Sequence, residues 1–342
     1  MEQFPTILVT GGAGYIGSHT CKALSKAGYK PVSFDNLVSG HSWAVRWGPF
    51  ENGDIGDRKR LDEVISRYRP VAVMHFAAYA YVGESVLDPG KYYRNNVAGT
   101  LTLLEAMRDH GIEQLIFSST CATYGAPQYV PIDEAHPQRP INPYGESKLM
   151  VERMIEDFSK AYGLKWIALR YFNAAGADHE CQIGELHEPE THLIPLVLDV
   201  AAGLRPSITI NGFDYDTEDG TCVRDYIHVS DIADAHILAL QALQACEFRS
   251  NIINAAYNLG NGHGFSVQQV LDKVREVTGH EIPSIQGSRR QGDPPCLIAN
   301  ADMAKKCLGW KPHQISLEMI IESAWRWHQK LGFRRAGMSK FP

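Results

Sequence analysis

No run of eighteen apolar residues occurs in the chain, so no segment is expected to span a bilayer. Blocks of like charge are missing too, and a net charge of −6 over 342 residues argues against a nucleic-acid surface or a basic membrane patch. The seven cysteines are odd in number and none is spaced Cys-x-x-Cys, so they read as free thiols of a reducing compartment. Met1-Glu2-Gln3 lacks the basic start of a secretory leader, and Thr6-Ile7-Leu8-Val9 is too short to be its apolar core; a cytoplasmic protein is expected. Internal repeats and low-complexity tracts are absent. What is present, 44% hydrophobic residues, gives one large domain or two ordinary ones a core that needs neither disulfide nor metal.

Strands and helices alternate through the first half. Ile7-Leu8-Val9-Thr10 reads as a buried strand running straight into Gly11-Gly12-Ala13-Gly14-Tyr15-Ile16-Gly17 and a helix from Ser18. Glycines at 11, 14 and 17 give a tight turn, a bare backbone that a pyrophosphate can approach, and close packing of helix on strand. Pro31 to Asp35 follows as a strand ending in an acid, where a carboxylate binds an adenosine ribose and repels a 2′-phosphate, so the expected cofactor is NAD rather than NADP. Further strands are expected at Pro49–Asn52, Val71–Phe76 and Gln114–Ser118, with helices from Asp57 to Tyr68 and from about Asn95. Asp54-Ile55 lies where an adenine could rest, or is simply an acid in a turn. Phe76-Ala77-Ala78 is small where a cofactor would lie close.

Ser118-Ser119-Thr120 sits at the carboxyl end of a parallel strand, the edge where open α/β sheets bind ligands, although such hydroxyls also cap helices. Ala126 to Pro143 is a proline-rich loop. Asn142-Pro143 then reads as an N-cap with proline at the first helical position, placing Tyr144 and Lys148 one turn apart on one face. An ammonium near a phenol favours the phenolate, a general base; the same spacing also occurs on solvated helices. Lys165 to Phe172 is the sixth strand. Past Asn173 the pattern changes, and the expected division is a cofactor domain over 1–176, receiving segments around 225–260, and a smaller domain over 177–342. Cys181, His187 and His192 invite a zinc reading, but the histidine interval is wrong for a helical site and Pro189 would break the helix, so no metal is expected. Arg224 and Arg289-Arg290 are better candidates, since guanidinium groups grip diphosphate oxygens, with surface ion pairing as the alternative. A C-terminal helix is expected from Ser316 to Leu331.

Together, Gly11-x-x-Gly14-x-x-Gly17, Asp35, Ser118-Ser119-Thr120 and Tyr144-x-x-x-Lys148 resemble the extended short-chain dehydrogenase/reductase family. Val82-Gly83-Glu84-Ser85, Tyr171-Phe172-Asn173, the block Asp219 to Val229 and Arg289-Arg290-Gln291-Gly292-Asp293 are similar to its nucleotide-sugar 4-epimerase branch, over about Thr6 to Gln329. The resemblance implies an α/β fold, a Rossmann-type doubly wound parallel sheet with a smaller mixed α/β substrate domain, in a homodimer formed by the helices near Asn95 and Tyr144. It implies a bound NAD that is not consumed, a UDP-sugar substrate, and interconversion of UDP-galactose and UDP-glucose through a 4-keto sugar. Tyr144 would be the acid/base, with Lys148 and Thr120 assisting. The cofactor would meet Gly11, Gly14, Tyr15, Ile16, Gly17, Asp35, Asn36, Asp54, Ile55, Phe76, Ala77, Ala78, Asn95, Ser118, Tyr144, Lys148 and Tyr171. The UDP-sugar would meet Thr120, Tyr144, Asn173, His192, Leu193, Asn211, Arg224, Arg290, Asp293 and Leu297. The chain departs from the family pattern at Ala80, where many members have lysine, at His192 for asparagine, and at Asn211 for an aromatic. Leu297 aligns with a position that is tyrosine in members restricted to plain hexoses and small in those taking N-acetyl sugars. The resemblance leaves pentose and N-acetylhexosamine substrates open beside glucose and galactose.

Overall fold

The computed structural model describes residues 4–245, 252–290 and 293–337; Met1-Glu2-Gln3 and the pair Gln291-Gly292 lie outside the described residues. Seven strands form one sheet in the order Ala255–Leu259, Lys165–Tyr171, Gln114–Thr120, Ala72–His75, Thr6–Thr10, Lys30–Asp35, Phe50–Asn52. Every pairing is parallel. A parallel sheet must be covered on both faces, because each crossover lays a helix across it. The strand sequences show this directly: Ile7 and Val9 belong to one buried cluster and Leu8 to another, as side chains alternate along a strand.

On the first face, Ile7, Val9, Met74, Ile116 and Leu169 pack with Leu24 of the helix Tyr15–Lys26 and with Ile232 and Leu240 of the helix Val229–Gln244. On the second, Leu8, Val73, Leu115 and Phe117 meet Leu61 and Val64 of the helix Arg58–Tyr68, Leu103 and Met107 of Thr100–Asp109, and Val151 and Ile155 of Pro143–Tyr162. Each fully buried aliphatic side chain contributes roughly 1.5–3 kcal/mol relative to exposure. The strand Ala255–Leu259 comes from late in the chain yet closes one edge of this sheet beside Lys165–Tyr171.

A separate core gathers Ile194, Val197 and Leu198 of the helix Leu193–Ala201 with Val270, Leu271 and Val274 of Val267–Thr278 and Ile320 and Ile321 of Leu317–Gly337. Ser266 begins the middle helix with a reciprocal capping box to Gln269.

Most expected elements are present with ends shifted by a residue or two. The helix expected from about Asn95 is different: Tyr93–Gly99 is π-helical, and regular α-helix begins only at Thr100. The wider turn accommodates Asn96, whose buried amide donates to the Tyr79 carbonyl and the Ser147 hydroxyl, each at 3.0 Å. The C-terminal helix runs past Leu331 to Gly337.

Between sheet and helix lies a buried ion pair. Arg170 donates from Nε to Glu152 Oε1 at 2.9 Å and from Nη2 to Oε2 at 2.6 Å, a forked geometry. Ser119 donates to Glu152 Oε1 at 2.5 Å, and Arg170 Nη1 donates to the Tyr124 hydroxyl at 2.9 Å. Replacing Arg170 with methionine strands a buried carboxylate, and the expected loss is about 3–5 kcal/mol in urea unfolding. A loss below about 1 kcal/mol would show that Glu152 finds water or another partner.

Candidate active site

The helix Pro143–Tyr162 begins as its sequence dictates. Asn142 is extended and its side-chain oxygen accepts from the Gly145 amide at 2.8 Å, while Pro143 takes the position whose N–H would be unpaired. Gly145 is required by close approach: a Cβ there would lie 2.4 Å from the Ala122 carbonyl oxygen. This contact seats the first turn of the helix against the segment that follows Thr120 and brings Tyr144 beside the carboxyl end of the strand Gln114–Thr120.

Burial governs the electrostatics of this group. It pushes the Tyr144 phenol up to about 12, with a hydrogen bond from Thr120 pulling the other way. It also lowers the Lys148 ammonium to about 7, opposed by the Glu152 carboxylate. Lys148 Nζ donates to the Ser118 carbonyl at 2.7 Å and lies over the Phe117 ring, 4.8 Å from its centroid. The Ser118 and Tyr171 hydroxyls are bonded to each other. The spacing suggests that the lysine would draw the phenol down; in the folded protein desolvation dominates, opposed by the Thr120 hydrogen bond, and the phenol stays protonated near neutral pH.

The glycine turn lies at the switch point of the sheet, where the strand order departs in both directions from Thr6–Thr10. Gly11 has φ +75°, and a Cβ on it would meet the Ala77 amide nitrogen at 2.6 Å, so the turn closes directly on Phe76-Ala77. Gly14 caps the helix Tyr15–Lys26 without a side-chain acceptor, which leaves its first N–H groups free for an anion. Asp35 accepts from the Ala13 amide at 3.0 Å and the Leu37 amide at 2.8 Å, two bonds that fix the carboxylate and leave lone pairs for a ribose. Asn36 donates to Asp54 at 2.8 Å, and Ile55 is buried where a Cβ on Gly99 would collide with it. Ile16 packs on the first core, and the Tyr15 hydroxyl donates to the Gly176 carbonyl at 2.6 Å. Ala78 is half-buried beyond the same strand end, and Asn95 donates to Asn96 at 2.9 Å. These residues form a cradle that fits a dinucleotide: free amides at a helix start, a fixed acid at the next strand end, and small side chains between them.

The residues expected at the sugar nucleotide fall into four groups. Leu297 pairs with Arg224 across neighbouring strands, and Arg224 Nη2 meets Asp293 at 3.0 Å. Leu297 and Cys121 pack on one small cluster around Tyr124 and Phe172, which joins this group to the carboxyl end of Gln114–Thr120. The Asn211 side-chain oxygen accepts from Arg290 Nε at 3.2 Å. Asn173 begins a short strand beside Tyr226, its amide donating to the Asp225 carbonyl at 3.0 Å. His192, just before Leu193 at the start of the helix Leu193–Ala201, lies instead with Glu185, His187 and Glu190.

Several residues here escaped the sequence reading. Glu152 and Arg170 look like ordinary helix and strand residues until the fold pairs them; a charge in the middle of an apolar strand was the available signal. Asn96, not its neighbour Asn95, carries the buried bonds to Tyr79 and Ser147. Glu185 and Glu190 gave no signal, because their partners are set by a turn and not by a helix.

A sheet of this winding with a glycine turn at its switch point is that of a dinucleotide-binding protein. The chain belongs to the NAD dependent epimerase/dehydratase family, whose model matches residues 7–260. It is 54% identical over 325 residues to the UDP-glucose 4-epimerase of Rhizobium leguminosarum bv. trifolii, a match covering 95% of this chain and 98% of the relative. The solved UDP-glucose 4-epimerase of Brucella ovis in complex with NAD is similar with a TM-score of 0.91 at 51% identity, covering 94% of this chain and 98% of that one. That of Bifidobacterium longum, in complex with NAD+ and UDP, gives 0.89 at 37% identity, covering 95% and 98%. No helix among the described residues is long and apolar enough to cross a membrane.

The Lys148 shift predicts a pH dependence. Unfolded, the amine keeps its proton up to about 10.5; folded, it loses it above about 7. Unfolding between these values therefore takes up a proton, and the stability owed to this group rises with pH across that window. Urea unfolding of the cofactor-free protein is expected to show the parent gaining on Lys148→Met from pH 7 towards 10.5. A difference that stays constant over the window would show an unshifted amine.

Proposed function

We propose that this chain is a UDP-glucose 4-epimerase: it interconverts UDP-glucose and UDP-galactose through a 4-keto intermediate with no net redox change. The observation that carries the reading is the half-buried Tyr144, with Thr120 at its hydroxyl and the buried Lys148 one turn on, at the carboxyl edge of a sheet whose switch point fits a dinucleotide. Near-full-length similarity to UDP-glucose 4-epimerases supports the same conclusion.

The bound NAD supplies the hydride acceptor and donor, and in its oxidised form a positive ring charge. Left to its own neighbours the Tyr144 phenol is held up to about 12, so only a positive charge brought into the crevice makes it a base near neutral pH. This couples the chemistry: Tyr144 is a competent base when hydride can be accepted and a competent acid when hydride has been taken up. Tyr144 removes the proton from the sugar 4-hydroxyl as C4 loses hydride, while Thr120 donates a hydrogen bond to that oxygen. The keto sugar turns, held by its diphosphate, and Tyr144 returns the proton as hydride comes back to the opposite face. Lys148 binds the nicotinamide ribose beside Ser118 and Tyr171; Asp35 selects NAD by repelling a 2′-phosphate. Arg224, Asp293, Arg290, Asn211, Asn173 and Leu193 hold the UDP-sugar, and Leu297 borders the sugar, whereas the His192 ring is engaged by Glu185 and Glu190. Loss of water or CO2 would need a further acid or base after Thr120; here Cys121 follows, its thiol pushed up to about 12 by burial.

The reading divides the chain into a cofactor half, 1–176 with segments around 225–260, and a UDP-sugar half over the remainder of 177–342. It makes the protein a cytoplasmic homodimer whose seam involves the helices Thr100–Asp109 and Pro143–Tyr162, where Leu101 and Tyr162 are 39% and 54% exposed. Purified protein given UDP-galactose without added NAD is expected to yield UDP-glucose with no NADH accumulating; a dehydrated product, or no turnover, would sink the proposal. Tyr144→Phe is expected to lower kcat by about 10²–10⁴-fold with NAD still bound. An undiminished rate would mean another group is the base.

A further inference from the structure

The interval between His187 and His192 is wrong for two metal ligands on one helix. The fold brings them together by a different route, through the turn Glu188-Pro189, and adds two carboxylates. His192 Nδ1 lies 2.9 Å from Glu185 Oε1 and 3.1 Å from Glu190 Oε1; His187 Nδ1 lies 3.4 Å from Glu185 Oε1 and 3.4 Å from Glu190 Oε2. One donor atom from each of the four lies within 4.8 Å of all the others.

We propose that Glu185, His187, Glu190 and His192 form a binding site for a divalent transition metal of the zinc class, which clips the 185–192 segment closed. The geometry supports this. Four ligands at about 2.0–2.2 Å from a tetrahedral zinc stand about 3.3–3.6 Å apart. Glu185 Oε1 already stands 3.4 and 2.9 Å from the two histidine nitrogens and Glu190 Oε2 stands 3.4 Å from His187 Nδ1, while one donor atom from each of the four lies within 4.8 Å of the rest, so a small contraction would complete the tetrahedron. Two neutral imidazoles and two carboxylates carry a charge of −2, which a divalent ion cancels. Nitrogen donors turn the selection away from magnesium and calcium, which take oxygen.

The ligands are also held from outside. Glu190 Oε1 accepts from the Thr191 and His192 amides at 2.8 and 2.9 Å, leaving Oε2 to face His187. The backbone of Glu185 is anchored where Trp327 Nε1 donates to its carbonyl at 3.0 Å, and the Leu186 carbonyl lies 3.0 Å from His41 Nε2. The His187 ring stands edge-on to Tyr15 and Tyr81, with centroids 6.4 and 5.9 Å away. Bound metal would therefore fasten the segment against both the glycine turn and the segment that follows Ala72–His75. His187 Nδ1 is buried yet makes no hydrogen bond of normal geometry, the condition of a ligand whose partner is an ion.

The alternative occupant is a pair of protons, with two imidazolium–carboxylate pairs and no metal. Titration of chelator-dialysed full-length protein with Co²⁺ separates the two. The site predicts one ion per chain, a visible ligand-field absorption of four-coordinate strength, and a higher melting temperature with the ion than without. His187→Asn and Glu190→Gln are each expected to weaken Co²⁺ binding by about a hundredfold or more. His328→Gln, which breaks the unrelated pair with Asp199, should leave it unchanged. Absence of Co²⁺ binding to the parent protein, or binding undiminished in either site variant, overturns the proposal. Circular dichroism of each variant identifies one that has simply failed to fold, in which case the parent titration and the other variant decide. None of these readouts depends on turnover, so the result stands apart from the epimerase assay.

Discussion

The buried pairing of Glu152 with Arg170 is the constraint on which the site geometry depends. Arg170 projects from the strand Lys165–Tyr171, and Glu152 lies one turn beyond Lys148 on the helix Pro143–Tyr162. Their forked bonds, joined by Ser119 and Tyr124, fix the depth and rotation of that helix against the sheet. With Gly145 pressed on the Ala122 carbonyl at one end, the helix has little freedom to slide. A charge pair so removed from water is costly to break, and its geometry narrows the choices for Tyr144 and Lys148.

The same desolvation gives the site its chemical character. A phenol and an amine placed in a dry crevice are both driven towards their neutral forms. Proximity of lysine to tyrosine leaves the phenol protonated, and under the proposed function the missing positive charge enters with the cofactor. A base that exists only when the hydride acceptor is in place suits a reaction that removes a proton and a hydride and must give both back.

Local signals were legible in the sequence wherever one segment does its own work. The glycine turn, the acid ending the second strand, the Asn142-Pro143 start and the Tyr144–Lys148 spacing all follow from short-range geometry and stand as expected. The helix near Asn95 was less legible, because its π-helical turn answers to a buried amide bonded to Tyr79 and Ser147, and nothing in seven residues announces that demand. His187 and His192 have no helical spacing, and the chain joins them through a turn. The carboxylates that complete the group have no spacing rule at all.

Sequence by itself determined the order of strands and helices, the switch-point turn and the types of reacting group, since periodicity, caps and glycine positions act over a few residues. The tertiary structure alone decided which distant residues meet: Arg170 with Glu152, Leu297 with Arg224, and the strand Ala255–Leu259 with the sheet begun at Thr6. It also decided protonation. A side chain's pKa is set by what surrounds it and by how much water is left, and for Tyr144 and Lys148 neither quantity exists until the sheet, helix and loop have closed around them.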